Sequence, residues 1–312
     1  MLANPMDVLS QFPVRKSRAQ KQAFLDAVQS YMYQQGYVCC VERGHFGCRN
    51  LVIGDPESAH YLLTAHYDTC ARMLLPNFIT PCNLMAFMGY QLLLVLLILV
   101  PAFALGVAGG LLLRSSLAAG ILCYFLVCVN LLLMLIGPAN QQNANDNTSG
   151  VVTLLEIARS LPENQRSNVC FVLFDLEEVG LIGSVSYRKK HRKASDKQLV
   201  LNLDCVGDGD EILLFPTKYL KKSSARMKSL YQCCGYFGKK SILVKDKGFS
   251  IYPSDQMSFP YGVGIAALKR GKWGLYLDRI HTGKDTVLEE TNVNILRAAI
   301  ISLICCGAVK KG

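Results

Sequence analysis

Apolar positions along this chain fall into two patterns: short runs that end in charged or polar residues, and one long uninterrupted block. From Ala19 to about Gln35, the residues Phe24, Leu25, Val28, Tyr31 and Met32 recur close to helical spacing, and Gly36 stops the helix. Tyr37–Val41 and Asn50–Ile53 read as strands, followed by a turn at Gly54-Asp55-Pro56. Tyr61–Ala65 reads as a short buried strand that delivers His66 at its C-terminal end. Further on, Ser149–Arg159 reads as a helix ending before Pro162. Val169–Phe174 is expected to be a buried strand leading into Asp175-Leu176-Glu177-Glu178. Leu199–Leu203 is a strand ending at Asp204, Glu211–Phe215 another strand, and Lys218–Cys234 a helix. Gly264–Leu268 and Trp273–Tyr276 are short strands, His281 lies in the loop after them, and a helix from Glu290 to about Cys306 closes the chain. The alternation predicts an α/β domain, in which functional residues gather at strand ends.

The long block runs from about Leu84 to Ile136 and is broken only near Arg114-Ser115-Ser116. Tyr90–Leu113 and Leu117–Ile136 carry no charge, and the second, at 1.5 Å per residue, spans about 30 Å, the thickness of a bilayer core. So short a break makes the pair a helical hairpin whose two ends emerge on one side. The expected organisation is a first part of the main domain over residues 1–82, a transmembrane hairpin over 83–137, and the rest of the domain over 138–312. Lys and Arg lie almost entirely outside the hairpin, which places the main domain on the cytoplasmic side of a cell membrane. The first twenty residues contain no apolar run, so no cleavable signal peptide is expected.

Composition refines this picture. The chain of 312 residues is 51% hydrophobic, and most of the excess sits in the one block. Net charge is +10, concentrated in runs such as Arg188-Lys189-Lys190-His191-Arg192-Lys193, read as a solvated basic face or a contact with anionic lipid. No recognition motif accompanies the charge, so nucleic acid is not an expected partner. Thirteen cysteines, several adjacent and none in a repeated CxxC spacing, are expected to be reduced and mostly buried. Such usage suits a reducing compartment.

His66, Asp146, Glu178, Asp204 and His281 are five metal-ligand types at strand ends or in loops. Two metals close together need a shared carboxylate and terminal ligands on each side, and five residues with one bridging provide three contacts per metal. Glu177 offers a proton acceptor beside Glu178, and Asp68 stands where it can orient His66 by accepting its free N–H.

The matching segments are Ala65-His66-Tyr67-Asp68-Thr69, Ala144-Asn145-Asp146-Asn147-Thr148-Ser149-Gly150, Glu177-Glu178-Val179-Gly180-Leu181-Ile182-Gly183-Ser184, Asn202-Leu203-Asp204-Cys205-Val206-Gly207, Ser254-Asp255-Gln256 and Arg279-Ile280-His281-Thr282-Gly283-Lys284-Asp285-Thr286. In this order they resemble the di-zinc aminopeptidase family of the secreted bacterial leucine aminopeptidases, whose relatives include glutamate carboxypeptidase, glutaminyl cyclase and the transferrin receptor ectodomain. The resemblance implies a three-layer α/β/α fold with a central mixed sheet, here carrying the inserted hairpin. It implies two Zn²⁺ or other divalent ions, with His66 and Asp204 on one, Glu178 and His281 on the other, and Asp146 bridging. Glu177 becomes the general base, and a cis peptide is expected at Asp146-Asn147. Tyr252 and Asp255 become candidate substrate-binding residues, while Gln256 stands where many members carry His. The expected activity is removal of N-terminal residues from peptides at a membrane surface. A related amidohydrolase, carboxypeptidase or glutaminyl cyclase is the enzymatic alternative, and a degenerate peptidase-fold receptor or scaffold the non-enzymatic one.

Overall fold

A computed structural model describes residues 2–73, 75 and 77–308. Among them, ten strands form one mixed sheet: β1 (Cys39–Arg43), β2 (Arg49–Ile53), β3 (Tyr61–His66), β4 (Val169–Phe174), β5 (Leu199–Leu203), β6 (Glu211–Pro216), β7 (Gly235–Phe237), β8 (Lys240–Val244), β9 (Gly262–Gly271) and β10 (Gly274–Tyr276). Their order is β1-β2-β4-β3-β5-β9-β6-β8-β7, with β10 paired to β9 off this path. The centre, β4-β3-β5-β9, is parallel. β2 and β6 flank it antiparallel.

Strands covered on both faces read as continuous apolar runs: β4 does so, and β3 and β5 depart from it only at Thr64, whose hydroxyl donates to Asn202 at 2.7 Å, at Asn202 itself and at the terminal His66. Alternate residues serve opposite layers. Leu63, Ala65, Val169, Phe171 and Leu173 pack with the helices Arg18–Gln34, Gly150–Ser160 and Glu290–Ala308. Leu62, Cys170, Val172 and Phe174 face the other way, onto Tyr187 of the helix Ile182–Lys190 and onto Phe259. The result is a three-layer α/β/α arrangement around a central mixed sheet.

The hairpin consists of the helices Leu84–Leu112 and Ser116–Ile136. Asn83 and Ser115 cap their first turns by accepting the N–H of Ala86 and Ala118. The helices meet through small residues. A Cβ on Gly110 would stand 2.4 Å from that of Ala119, and one on Gly106 2.8 Å from that of Cys123. Side chains elsewhere on the pair face outward, with 11% and 0% of the most apolar windows buried.

Several sequence expectations are corrected. Lys218–Cys234 is not one helix but two short ones, Lys218–Lys221 and Ser224–Tyr231, followed by the β7–β8 hairpin. Gly238, at φ +65°, makes the reversal between those strands. The basic run from Arg188 spans the end of the helix Ile182–Lys190 and the start of the helix Arg192–Ser195; Lys189, Lys190, Arg192 and Lys193 are exposed as expected, and the exception is the histidine among them. His191 is buried, with ring nitrogens 2.7 Å from Glu57 and 3.0 Å from Glu42. The cysteines form no disulfide, but fewer than half are buried, and Cys40, Cys128 and Cys306 are exposed.

Candidate metal centre

The parallel registers bring the sequence-predicted residues to one edge of the sheet. His66 pairs with Phe174 across β3 and β4, so the chain after Phe174 carries Glu177 and Glu178 past His66. Thr64 pairs with Asn202, which brings Asp204, just beyond β5, level with His66. Asp146 lies just ahead of the helix Gly150–Ser160, and the Asp146-Asn147 peptide is cis. Leu176, Cys205 and His281 all have left-handed backbone angles, at φ 56°, 56° and 63°. Non-glycine residues in this region are uncommon and persist where the surroundings hold them.

Asp146 is the middle of the cluster. Its Oδ1 is 3.2 Å from Nε2 of His66, and its Oδ2 is 3.0 Å from Nε2 of His281. Asp204 stands on the first side, 3.7 Å from His66 Nε2, and Glu178 on the second, 3.3 Å from His281 Nε2. A carboxyl oxygen of Glu177 falls within 4.8 Å of donor atoms on His66 and Glu178. Asp68 sits behind: its carboxylate accepts the N–H groups of Glu177 and Glu178 at 3.1 and 3.3 Å. It also approaches His66 Nδ1 at 3.5 Å, although that nitrogen lacks an aligned hydrogen bond. Asp68 therefore fixes the turn bearing both glutamates as well as facing the imidazole.

The electrostatics record an excess of buried negative charge. Burial disfavours charge on His281, but Glu178 and Asp146 outweigh it and raise its pKa to about 9. His66 likewise moves up against burial, driven by Glu177 and by its three aspartate neighbours. Burial pushes Asp146 up, yet the two histidines carry it below the usual carboxylate range. Burial raises Glu178 to about 8 and Glu177 well above its ordinary value, the latter with help from Asp255 and Glu178. Imidazole nitrogens and carboxylates on both sides of one aspartate fit divalent ions of the zinc type. Glu178 Oε1 is buried without a hydrogen-bond partner, as a carboxylate oxygen that serves as a metal ligand would be.

The sequence reading assigned no role to several residues that build this centre. Asp285 accepts the backbone N–H groups of Asn145 and Asp146 at 2.8 and 2.9 Å. Asn147 donates to the carbonyl of Leu203 and accepts from Gly150 and Cys205, tying the Asp146 segment to the end of β5. Arg15 is fully buried and donates to the carbonyl of Tyr67 and to Thr148. Lys21 pairs with Asp175 just before the glutamates. Asn147, Thr148 and Asp285 stand inside the matching segments, which is their signal in the sequence, whereas Arg15 and Lys21 stand outside them and reach the centre only through contacts between distant segments.

Tyr252 is buried. Its ring stacks on Phe215 at 5.2 Å and its hydroxyl donates to the Asp204 carbonyl at 3.0 Å. Asp255 is fully buried with both carboxyl oxygens unpaired, and burial raises its pKa to about 7. Gln256 donates to the carbonyl of Tyr252 and accepts from Asn202, which locks it inside the protein.

The profile of Peptidase family M28 matches residues 134–303, more than half of the chain. Asp146, Glu177, Glu178, Asp204, Asp255 and His281 fall inside the matched stretch, and His66 and Asp68 before it. A search of curated proteins gives no match. Among solved structures, the chain is similar to the glutaminyl cyclase of Porphyromonas gingivalis, at TM-score 0.62 and 17% identity over 95% of this chain and 93% of that one. It is also similar to a Zn-dependent exopeptidase from Parabacteroides distasonis, at TM-score 0.58 and 17% identity over 97% and 95%. The LapA aminopeptidase of Legionella pneumophila follows at TM-score 0.56 and 12% identity, over 96% and 67%. At these identities the likeness concerns the fold.

Proposed function

The chain belongs to peptidase family M28, and from that premise we propose that it is a membrane-anchored aminopeptidase working with two zinc ions. The observation that carries the reading is Asp146, whose two oxygens face two different histidines, each backed by a further carboxylate. His66, Asp146 and Asp204 would hold one ion, and His281, Asp146 and Glu178 the other. When bound, such ions polarise the scissile carbonyl and make water acidic enough to attack near neutral pH.

The chain's own residues do the rest. Glu177 accepts the proton of the attacking water on a carboxyl oxygen and then donates it to the leaving amine nitrogen as the peptide C–N bond breaks. A buried carboxyl with a raised pKa holds a proton between these two steps better than an exposed one. Asp68 keeps Glu177 aimed by holding its backbone N–H. Tyr252 supports Asp204 from behind through the Asp204 carbonyl. Burial, with the charges of Asp255, Glu178 and Asp204, raises the Glu177 carboxyl above its ordinary value, opposed by His66.

Two apolar helices of mean hydropathy 2.8 and 2.6, facing outward along most of their length, support anchoring in a bilayer. The charge pattern, with only Arg114 at the tip and the other Lys and Arg outside the hairpin, supports a cytoplasmic peptidase domain. Protease accessibility in sealed vesicles tests it: cleavage of the domain from the lumenal face alone would reverse the assignment.

The decisive experiment joins metal analysis to digestion of a peptide library. Wild type should bind two zinc ions and release N-terminal residues. Glu177→Gln should keep the zinc and lose roughly 10²–10⁴-fold in rate. Full activity in the variant, or no metal-dependent cleavage by the zinc-loaded wild type, would sink the proposal. The same acid–base group could instead cyclise an N-terminal glutamine, the reaction named for one of the similar structures. One zinc per chain and loss of ammonia without peptide cleavage would favour that alternative.

A further inference from the structure

We propose that Cys70 is a sixth protein ligand of the centre, bound to the ion held by His281 and Glu178. The inference rests on the two-zinc reading above and concerns a residue that none of the motifs assigns. Sγ of Cys70, a carboxyl oxygen of Glu178 and a ring nitrogen of His281 all lie within 4.8 Å of one another. Ligand atoms around one tetrahedral zinc, at bonds of about 2.0–2.3 Å, stand roughly 3.3–3.8 Å apart. Closing the observed cluster onto an ion therefore takes movements of at most about 1.5 Å at the widest pair.

The placement of Cys70 is fixed by its backbone. It follows Asp68 by two residues, its carbonyl accepts from Asn140 at 3.1 Å, and the next residue, Ala71, bridges to Ala139. Cys70 is 3% exposed, so the thiol faces the centre from inside the protein. Its other polar neighbour, Asn143 Oδ1, is 4.0 Å away, a weak contact. Independently, Glu178 Oε1 in the same cluster is buried with no hydrogen-bond partner. With Asp146 Oδ2 3.0 Å from His281, this side of the centre has four donors: one nitrogen, two carboxylates and one sulfur. The His66 side keeps three. Zinc sites with four protein ligands are closed, and those with three keep a place for water.

X-ray absorption at the zinc edge, on the full-length protein in lipid nanodiscs, tests the inference without reference to activity. With two zinc ions bound, wild type should show sulfur at about 2.3 Å, averaging about half a sulfur per zinc. Cys70→Ser should lose that shell and retain both ions. Two bound ions with only nitrogen and oxygen neighbours would overturn the ligand role while leaving the two-zinc reading in place. A sulfur shell persisting in Cys70→Ser would assign it to another cysteine and overturn the inference as well. A chain that takes up no zinc would overturn both. If Cys70→Ser does not fold, alkylation of the wild type followed by mass spectrometry decides. Zinc should slow the labelling of Cys70 at least tenfold, and equal rates with and without zinc would refute the role.

Discussion

Asp285 holds Asp146 from behind by accepting the N–H groups of Asn145 and Asp146, so the carboxylate shared by both histidines is itself positioned by a carboxylate. Burial, then Asp146, raises its pKa to about 7. Asp285→Asn would turn an amide donor toward two backbone donors, or leave one of them unpaired. Chelator competition should show metal affinity falling by roughly 10–100-fold, the usual cost of losing a residue that orients a ligand. An unchanged affinity would remove Asp285 from the centre's support. Tyr37 offers a test remote from the metals. Its hydroxyl donates to the Ala158 carbonyl at 2.7 Å, and burial raises its pKa to about 12 although Arg166 opposes the shift. The folded protein keeps a proton that the unfolded chain releases near pH 10. Stability from this group is therefore complete below about pH 10 and is lost as the pH rises toward 12. Cys39 and Cys233, also raised to about 12 by burial, act with the same sign from a lower starting point. Urea midpoints at pH 8 and 11 should converge in Tyr37→Phe relative to wild type without becoming equal.

Elements were legible where a single local pattern fixed them. β3, β4 and β5 are buried and mostly apolar because both faces are covered, and the centre's residues stand at or just beyond their C-terminal ends: His66 at the end of β3, Asp204 directly after β5, and Glu177 and Glu178 three and four residues after β4. The break between Lys218–Lys221 and Ser224–Tyr231 was not legible, since Lys222-Ser223 carries no Pro or Gly to mark it. β7 is only three residues long and follows Cys233-Cys234, which continues an apolar helical spacing. The helix Ile182–Lys190 was obscured by its own basic end, and its burial depends on Tyr187 meeting Phe174 and Phe259 from distant segments. The hairpin helices were legible from length and hydropathy, but their contact with the rest of the protein was not. Asn83, the cap of the first helix, donates to the carbonyl of Trp273 at 3.1 Å. Beside it, Phe78 packs on Tyr90 and Tyr276 at 5.4 and 5.5 Å. An aromatic cluster at the foot of a hairpin is what a membrane–water interface favours. Trp273 is the one tryptophan of the chain and is half exposed, so its fluorescence reports this foot directly. Brominated lipids in nanodiscs should quench it. Emission untouched by them would place the foot away from the lipid.

At the scale of the molecule, the path into and out of the hairpin runs through the centre. The outgoing chain and the returning chain pair at a neck, where Arg72 donates to the Pro138 carbonyl at 2.8 Å and Asn140 to that of Cys70. Met73 donates to the His281 carbonyl at 2.8 Å, and Asn140 Nδ2 to that of Thr282 at 3.0 Å. The neck is thus bonded to the loop that carries one histidine, and it issues from the segment that carries the other. Six motifs in order made the five donors legible, but nothing in the sequence showed that the insertion is clasped onto the His281 loop. This clasp motivates a hypothesis about substrates. A peptidase centre held at the root of a membrane hairpin meets peptides leaving the bilayer before it meets those in solution, so short apolar peptides released from membranes are its expected substrates. Replacing residues 84–136 with a short Gly/Ser link, and leaving the neck intact, should detach the protein from membranes while zinc content stays at the wild-type level. The hydrolysis ratio of lipid-embedded to soluble peptides of the same N-terminal sequence should then fall. If the ratio instead matches wild type, the hairpin only tethers the enzyme, and choice of substrate lies wholly in the peptidase domain.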